Sequence, residues 1–326
     1  MNCVKKEASM GKSSKETSHE LRHNDVDSTT LSTWFGLTVP NSTTFMRRFS
    51  FYVVLFAACA SGAVSPPPPP PPPPGPPPPP PSWQLVWSDE FNGPAGSRVD
   101  TTKWGFDLGG GGWGNNEREY YTSDTANVRL NGQGELEIVA RVAPAGLTCW
   151  YGPCGYTSAR ILTRGKMTAS WGRVEARIKL AAGQGLWPAF WMLGNNIGTV
   201  GWPTCGELDI MENKGSQNTT TSSAVHGPGY SGNTPFAHAY APVTTTDYHV
   251  YTVEWNGQSI RYFVDSNQHY SVTRADVSQH GSWVFDQPFF VILNLAVGGN
   301  FDGNPQSDSI FPASMLVDYV RVYQLQ

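Results

Sequence analysis

Gly206-Glu207-Leu208-Asp209-Ile210-Met211-Glu212-Asn213 is an apolar run with three acids set into it. Alternate side chains of a β-strand face opposite ways, so Glu207 and Asp209 share one face while Leu208 and Ile210 take the other. Strict alternation would send Glu212 to the apolar side, because its spacing from Glu207 is odd. One extra residue, a β-bulge at Ile210 and Met211, brings it back, and the run predicts that bulge. The two glutamates then stand as if four residues apart, about 13 Å between Cα atoms at about 3.3 Å per residue. Two long side chains leaning together over Asp209 can close most of that span. Double displacement at a sugar carbon needs carboxyl groups about 5–5.5 Å apart, one to attack and one to protonate the leaving oxygen. The competing reading is a solvated strand face that is acidic by chance. Acids are disfavoured in strands, and like charges side by side repel, which counts against it.

Outward from this run, the chain divides by composition. Residues 1–45 are polar and rich in Ser and Thr, with no sustained apolar period, and are expected to be a disordered extension or a gene-start artefact. Residues 46–63 read as a signal peptide: Met46-Arg47-Arg48 is basic, Phe49 to Cys59 is apolar, and Ala58, Ala60 and Gly62 are small. The apolar stretch is short for a membrane span of about 20 residues. Cys59 after Leu55-Phe56-Ala57-Ala58 loosely resembles a bacterial lipoprotein signal, which would make it a lipid anchor, although Phe56 sits where a smaller residue is usual. Residues 64–81 form a Pro-rich linker of extended polyproline II type. These features lead to the expectation of a secreted or cell-surface protein exported by a bacterial-type route.

Residues 82–326 remain as one domain. Gly134–Ala140, Gly172–Ile178, His249–Trp255 and Ile260–Asp265 alternate with period two and are bounded by Gly, Asn, Pro and Ser, and no segment carries a long helical period. An all-β sandwich of two antiparallel sheets follows. Charged residues are 15% of the chain with a net charge of −4, which argues against nucleic acid and favours a neutral polymer over an anionic one. Eleven of the twelve tryptophans follow residue 82, several of them in segments such as Gly112-Trp113-Gly114-Asn115-Asn116 and Gly185-Leu186-Trp187-Pro188-Ala189-Phe190-Trp191. Flat rings beside amides and acids suit sugar rings, although for any one tryptophan core packing is an equal alternative. Trp87 and Trp255 are assigned to packing.

With these residues in view, Glu207-x-Asp209-x-x-Glu212 resembles the active-site signature of glycoside hydrolase family 16, in the bulged form of laminarinase-like endo-β-1,3-glucanases. Agreement extends along the domain through Trp87-Ser88-Asp89-Glu90-Phe91, Asn115-Asn116-Glu117-Arg118-Glu119-Tyr120-Tyr121-Thr122, Ser158-Ala159-Arg160-Ile161, Trp187-Pro188-Ala189-Phe190-Trp191-Met192-Leu193, Asn294-Leu295-Ala296-Val297-Gly298-Gly299 and Asp318-Tyr319-Val320-Arg321-Val322-Tyr323. The resemblance implies a β-jelly-roll with a concave groove and retaining hydrolysis of laminarin-type or mixed-linkage β-glucan. Transglycosylation, another polysaccharide and a noncatalytic glucan-binding module are the alternatives.

The family pattern makes Glu207 the nucleophile and Glu212 the general acid and base, with Asp209 between them. Trp187 and Trp191 are candidate sugar walls, with Trp113 further along the groove; Asn116 and Arg160 match family positions that hydrogen-bond sugar hydroxyls, with a salt bridge the alternative for Arg160. His226 is placed near the leaving-group sugar, with a structural role as its alternative. Asn294 reads as part of a loop-like turn, and Glu117 and Glu119 as solvated loop charges. Catalysis calls for no cofactor. A structural calcium held by Glu90, Gly134 and Asp318 is what the resemblance implies, with pairing to a nearby cation the alternative for Asp318. Cys149 and Cys154 bracket a turn and are expected to pair as a disulfide, which leaves Cys205 unpaired and buried. The expected partner is the β-glucan itself, with no protein or nucleic acid, and the chain is expected to act as a monomer.

Overall fold

The computed structural model describes residues 82–326. The extension, signal peptide, linker and Cys59 discussed above lie outside the described residues. Strands carry nearly all of the regular structure, and the two short α-helices, Ile197–Val200 and Arg274–Ser278, interrupt loops. No helix among the described residues is long and apolar enough to cross a membrane.

The outer layer is a ten-stranded sheet whose path runs from Asn267–Thr273 through His249–Trp255, Gly172–Lys179, Ala313–Leu325 and Leu136–Val142 to Glu119–Tyr121. The inner layer has seven strands. In spatial order they are Phe236–Tyr240, Thr221–His226, Glu207–Glu212, Leu186–Gly194, Phe289–Val297, Arg160–Leu162 and Gly105–Asp107. Pairing is antiparallel except between Glu119–Tyr121 and Tyr156–Ser158, which run parallel. Both layers send apolar side chains into one shared core that includes Leu136, Ile138, Val174, Phe190, Met192, Leu208, Val253 and Leu293. Period-two patterning produces this arrangement, because each strand buries every second side chain in the core and leaves the others on its outer face.

The inner sheet departs from simple alternation at two places that matter. Phe289–Val297 is buried at all nine positions. Its odd-numbered residues face the main core, while Phe290 and Ile292 join Leu162, Leu193 and Cys205 in a second apolar cluster on the far side of the sheet. Cys205 is thus free and buried, and burial pushes its thiol up to about 11. In Glu207–Glu212, Leu208, Ile210 and Met211 all enter the main core, so two consecutive side chains point the same way. Elsewhere, a disulfide joins Cys149 to Cys154 with a Cα–Cα distance of 5.0 Å. Trp255 is buried, and Trp87 packs edge-on to Trp104.

Candidate active site

The bulge lies where the acid spacing placed it. Toward one neighbour, Leu193 pairs with Glu207, Trp191 with Asp209, Phe190 with Met211 and Ala189 with Glu212, leaving Ile210 extra. Toward the other, His226 pairs with Glu207, Ala224 with Asp209 and Ser222 with Glu212. Cross-strand partners share a face. Leu193, Trp191 and Ala189 alternate on the side away from the core, so all three acids point there together. The bulge frees the Ile210 carbonyl from the ladder, and Ser223 Oγ donates to it at 2.8 Å. Gly206, at the strand entry, holds φ +75°, where a Cβ would stand 2.9 Å from Val284 Cγ2, so the turn into the acids requires glycine.

Each acid has its own setting. Trp202 Nε1 donates to Glu207 Oε2 at 2.7 Å, and Trp187 Nε1 donates to Glu212 Oε1 at 2.9 Å. Asp209 is buried, and its Oδ2 lies 3.2 Å from His226 Nε2. Burial pushes Glu207 up to about 8, reinforced by the charge of Asp209 and opposed by His226 and the Trp202 N–H. Burial, then the charge of Glu207, pushes Glu212 up to about 7. Asp209 is held well above the carboxylate range by burial and then by Glu212. Three acids this close cannot all ionise near neutrality, so the cluster retains protons and titrates jointly.

Around the acids, Trp191 Nε1 donates to Asn294 Oδ1 at 2.7 Å, Asn294 Nδ2 to the Tyr121 hydroxyl at 3.1 Å, and that hydroxyl to Glu117 Oε2 at 3.0 Å. Arg160 lies 4.7 Å from the Trp191 ring centre and 5.0 Å from that of Trp113, and its Nε is 2.9 Å from Asp107 Oδ2. One guanidinium therefore serves both the salt bridge and the aromatic wall. Trp187 stacks on Phe301 with ring centres 4.8 Å apart. Trp113 and Asn116 both have positive φ, 50° and 58°, in the loop facing Gly298 and Asn300. Strained non-glycine backbone of this kind persists where its surroundings hold it in place. Asn116 is exposed and donates Nδ2 to Asn300 Oδ1 at 2.9 Å.

His226 sits beside Glu207 in register and against Asp209, on the same face as the acids. Two expectations need correction. Asn294 is not in a turn; it lies inside the Phe289–Val297 strand, with its side chain on the groove side. Glu117 and Glu119 are buried rather than solvated, because they accept hydrogen bonds from Tyr121 and from the Val297 amide. Burial, with Glu117 beside it, raises Glu119 well above its ordinary value.

The proposed calcium donors do not fit a shared cation as arranged. Both oxygens of Glu90 are bound by Arg321, and Asp318 Oδ2 is bound by Arg177 at 2.7 Å. A cation there would have to displace guanidinium groups. Among the described residues, Glu207, Asp209 and His226 offer ligand atoms within 4.8 Å of one another, a spacing that a divalent ion could bridge.

The sequence reading missed Trp202 and Phe301. Gly201-Trp202-Pro203, five residues ahead of the first acid, had the composition that singled out the other tryptophans. Phe301 in Gly299-Asn300-Phe301 carried a similar signal.

Residues 114–321 match the family described as Glycosyl hydrolases family 16. A β-glucanase from Rhodothermus marinus is 42% identical over 253 residues, spanning 74% of this chain and 85% of its own length. The X-ray structure of an endo-β-1,3-glucanase from Pyrococcus furiosus is similar at TM-score 0.70 and 47% identity, over 75% of this chain and 95% of that one. The laminarinase catalytic domain from Thermotoga maritima is similar at TM-score 0.69 and 43% identity, over 74% and 98%.

Proposed function

Because the chain belongs to glycosyl hydrolase family 16, we propose that this glycoside hydrolase is an exported, retaining endo-β-1,3-glucanase acting on laminarin-type β-glucan, with mixed-linkage glucan as a second substrate. The register that turns Glu207, Asp209 and Glu212 to one face carries this reading. Relatives whose names specify β-glucanase and endo-β-1,3-glucanase support the choice of substrate.

In this mechanism the Glu207 carboxylate attacks the anomeric carbon while Glu212 gives its proton to the glycosidic oxygen. The C–O bond breaks, the leaving sugar departs, and a glycosyl ester forms on Glu207. Glu212, now a carboxylate, takes a proton from water as that water attacks the same carbon and releases Glu207. The acids share their protons, and reaction proceeds from the form with the charge on Glu207 and the proton on Glu212. The Trp202 N–H and His226 favour the charge on Glu207, while His226 and the Trp187 N–H act in the same sense on Glu212, and Trp187 fixes its direction. Asp209 lies between them and couples their protons. Trp187, Trp191 and Trp113 supply ring faces for sugars, and Arg160 and Asn116 supply polar contacts. Export is supported by the stretch from Met46 to Gly62 and by the Cys149–Cys154 disulfide, a bond typical of oxidising compartments. The enzyme acts on the polysaccharide as a monomer, without a protein partner.

Product analysis on laminarin, lichenan and curdlan, with the anomer of the first product followed by NMR, tests the proposal. Short β-1,3-linked products of retained configuration are expected. An inverted anomer overturns the mechanism, cleavage confined to β-1,4 bonds overturns the substrate, and products longer than the substrate identify a transglycosylase.

A further inference from the structure

Behind the acid strand, the open edges of the two sheets face each other: Phe236–Tyr240 ends the inner sheet and Asn267–Thr273 ends the outer one. A second bulge lies there. Tyr262 pairs with Tyr270 and Phe263 with Gln268, so His269 is the extra residue and turns into the seam. His238 is paired in register with Ser223, whose hydroxyl enters the same seam. The two imidazoles meet with Nδ1 atoms 3.5 Å apart. Rings of Tyr240, Tyr262 and Tyr270 stand around them at centre distances of 5.0–6.5 Å.

Hydrogen bonding fixes the tautomer of His269. Ser223 spends its single hydroxyl proton on the Ile210 carbonyl, so at its 3.3 Å contact with His269 Nε2 the serine accepts and the imidazole donates. The proton is therefore on Nε2, and Nδ1 presents a lone pair that accepts from His238 Nδ1–H in the metal-free protein, a proton that a bound ion would displace. Two imidazole nitrogens each about 2.0–2.1 Å from a tetrahedral zinc stand about 3.4 Å apart, which matches the observed separation. A ligand histidine whose other nitrogen donates to a fixed oxygen is the arrangement that orients metal-binding imidazoles.

We propose that His238 and His269 form a site for a zinc-class divalent ion, Zn²⁺ or Ni²⁺, that clips the two sheet edges together behind the catalytic bulge, with water completing the coordination. This site is separate from the Glu207, Asp209 and His226 group, which lies on the other face of the inner sheet.

The test uses the untagged protein stripped of metal and titrated with zinc chloride by calorimetry, with thermal unfolding in parallel. Glu207→Gln, which disables the active-site group, should keep one bound zinc, and His238→Ala and His269→Ala should each lose it. Zinc at about a hundredfold its dissociation constant should raise Tm by roughly 5–10 °C, and either histidine variant should abolish the rise. Ser223→Ala should weaken binding about tenfold by releasing the His269 ring. His238 is exposed on an edge strand between two alanines, so its variant should fold and cleave laminarin in metal-free buffer. Unchanged zinc stoichiometry in folded His238→Ala, or no binding to the parent protein at millimolar zinc, overturns the proposal.

Discussion

Replacing Glu207 by Gln should abolish turnover and, above neutral pH, make the protein more stable. Burial and the charge of Asp209 raise this carboxyl from its ordinary 4.5 to about 8, so the folded state holds the proton more tightly than the unfolded chain does. A group raised on folding contributes its full stability below the unfolded value and loses it as pH rises through the folded one. At about pH 3 the carboxyl is protonated in both states, and the amide, nearly its isostere, changes little. At about pH 9 the wild type must carry a buried charge that Gln lacks. For an isolated carboxyl the difference would approach roughly 4–5 kcal/mol, at about 1.4 kcal/mol for each tenfold change in proton affinity. Asp209 and Glu212 share the same protons, so about 2 kcal/mol is expected, or about 4–8 °C in Tm for a domain of this size. Thermal unfolding of both proteins, followed by near-ultraviolet circular dichroism from acid to alkaline pH, measures it. A Tm difference that stays flat across the range would refute the claim that Glu207 is a buried acid with a raised proton affinity.

Glu212→Ala should lose at least about 100-fold in kcat on laminarin, whose sugar leaving group needs the proton. With an aryl β-glucoside substrate whose activated phenolate departs unprotonated, azide should restore turnover by attacking the glycosyl ester without a general base, and absence of rescue there would remove Glu212 from the acid and base role. Trp187→Phe keeps the ring against Phe301 but loses the N–H on Glu212. It should cost about 10–100-fold in kcat, the worth of a hydrogen bond to a charged group, with little change in KM, whereas Trp187→Ala should impair both, as initial-rate kinetics would show. Replacing Cys149 and Cys154 by Ser opens a loop of sequence separation 5 and should lower stability by about 2 kcal/mol in chemical denaturation. The same substitution should leave kcat near that of the parent.

Much of the fold was legible because the strands bury one face each: the runs at 172–178 and 249–255 became strands with almost the expected bounds. The bulge was legible for a different reason, since acids rarely sit among core residues, and only one irregularity could keep Glu212 out of the core. Less readable were residues whose roles depend on distant partners. Asn294 looked like a turn residue beside Gly298 and Gly299, yet it bridges Trp191 and Tyr121 from inside a fully buried strand. Glu119 looked solvated because its local sequence is polar, and its partner, the Val297 amide, is far away in the chain. Glu90 and Asp318 illustrate the same difficulty. Oxygen donors can be counted from sequence, but arginines that already neutralise them cannot.

The serine that caps the Ile210 carbonyl offers a marker readable without coordinates. In a chain whose two glutamates are separated by one residue fewer, that carbonyl would stay in the regular ladder, and a hydroxyl opposite it would have nothing to do. A small polar residue at the place of Ser223 should therefore travel with the longer acid spacing, and alanine or valine with the shorter, so that a residue pointing away from the sugar reports which backbone the acids stand on.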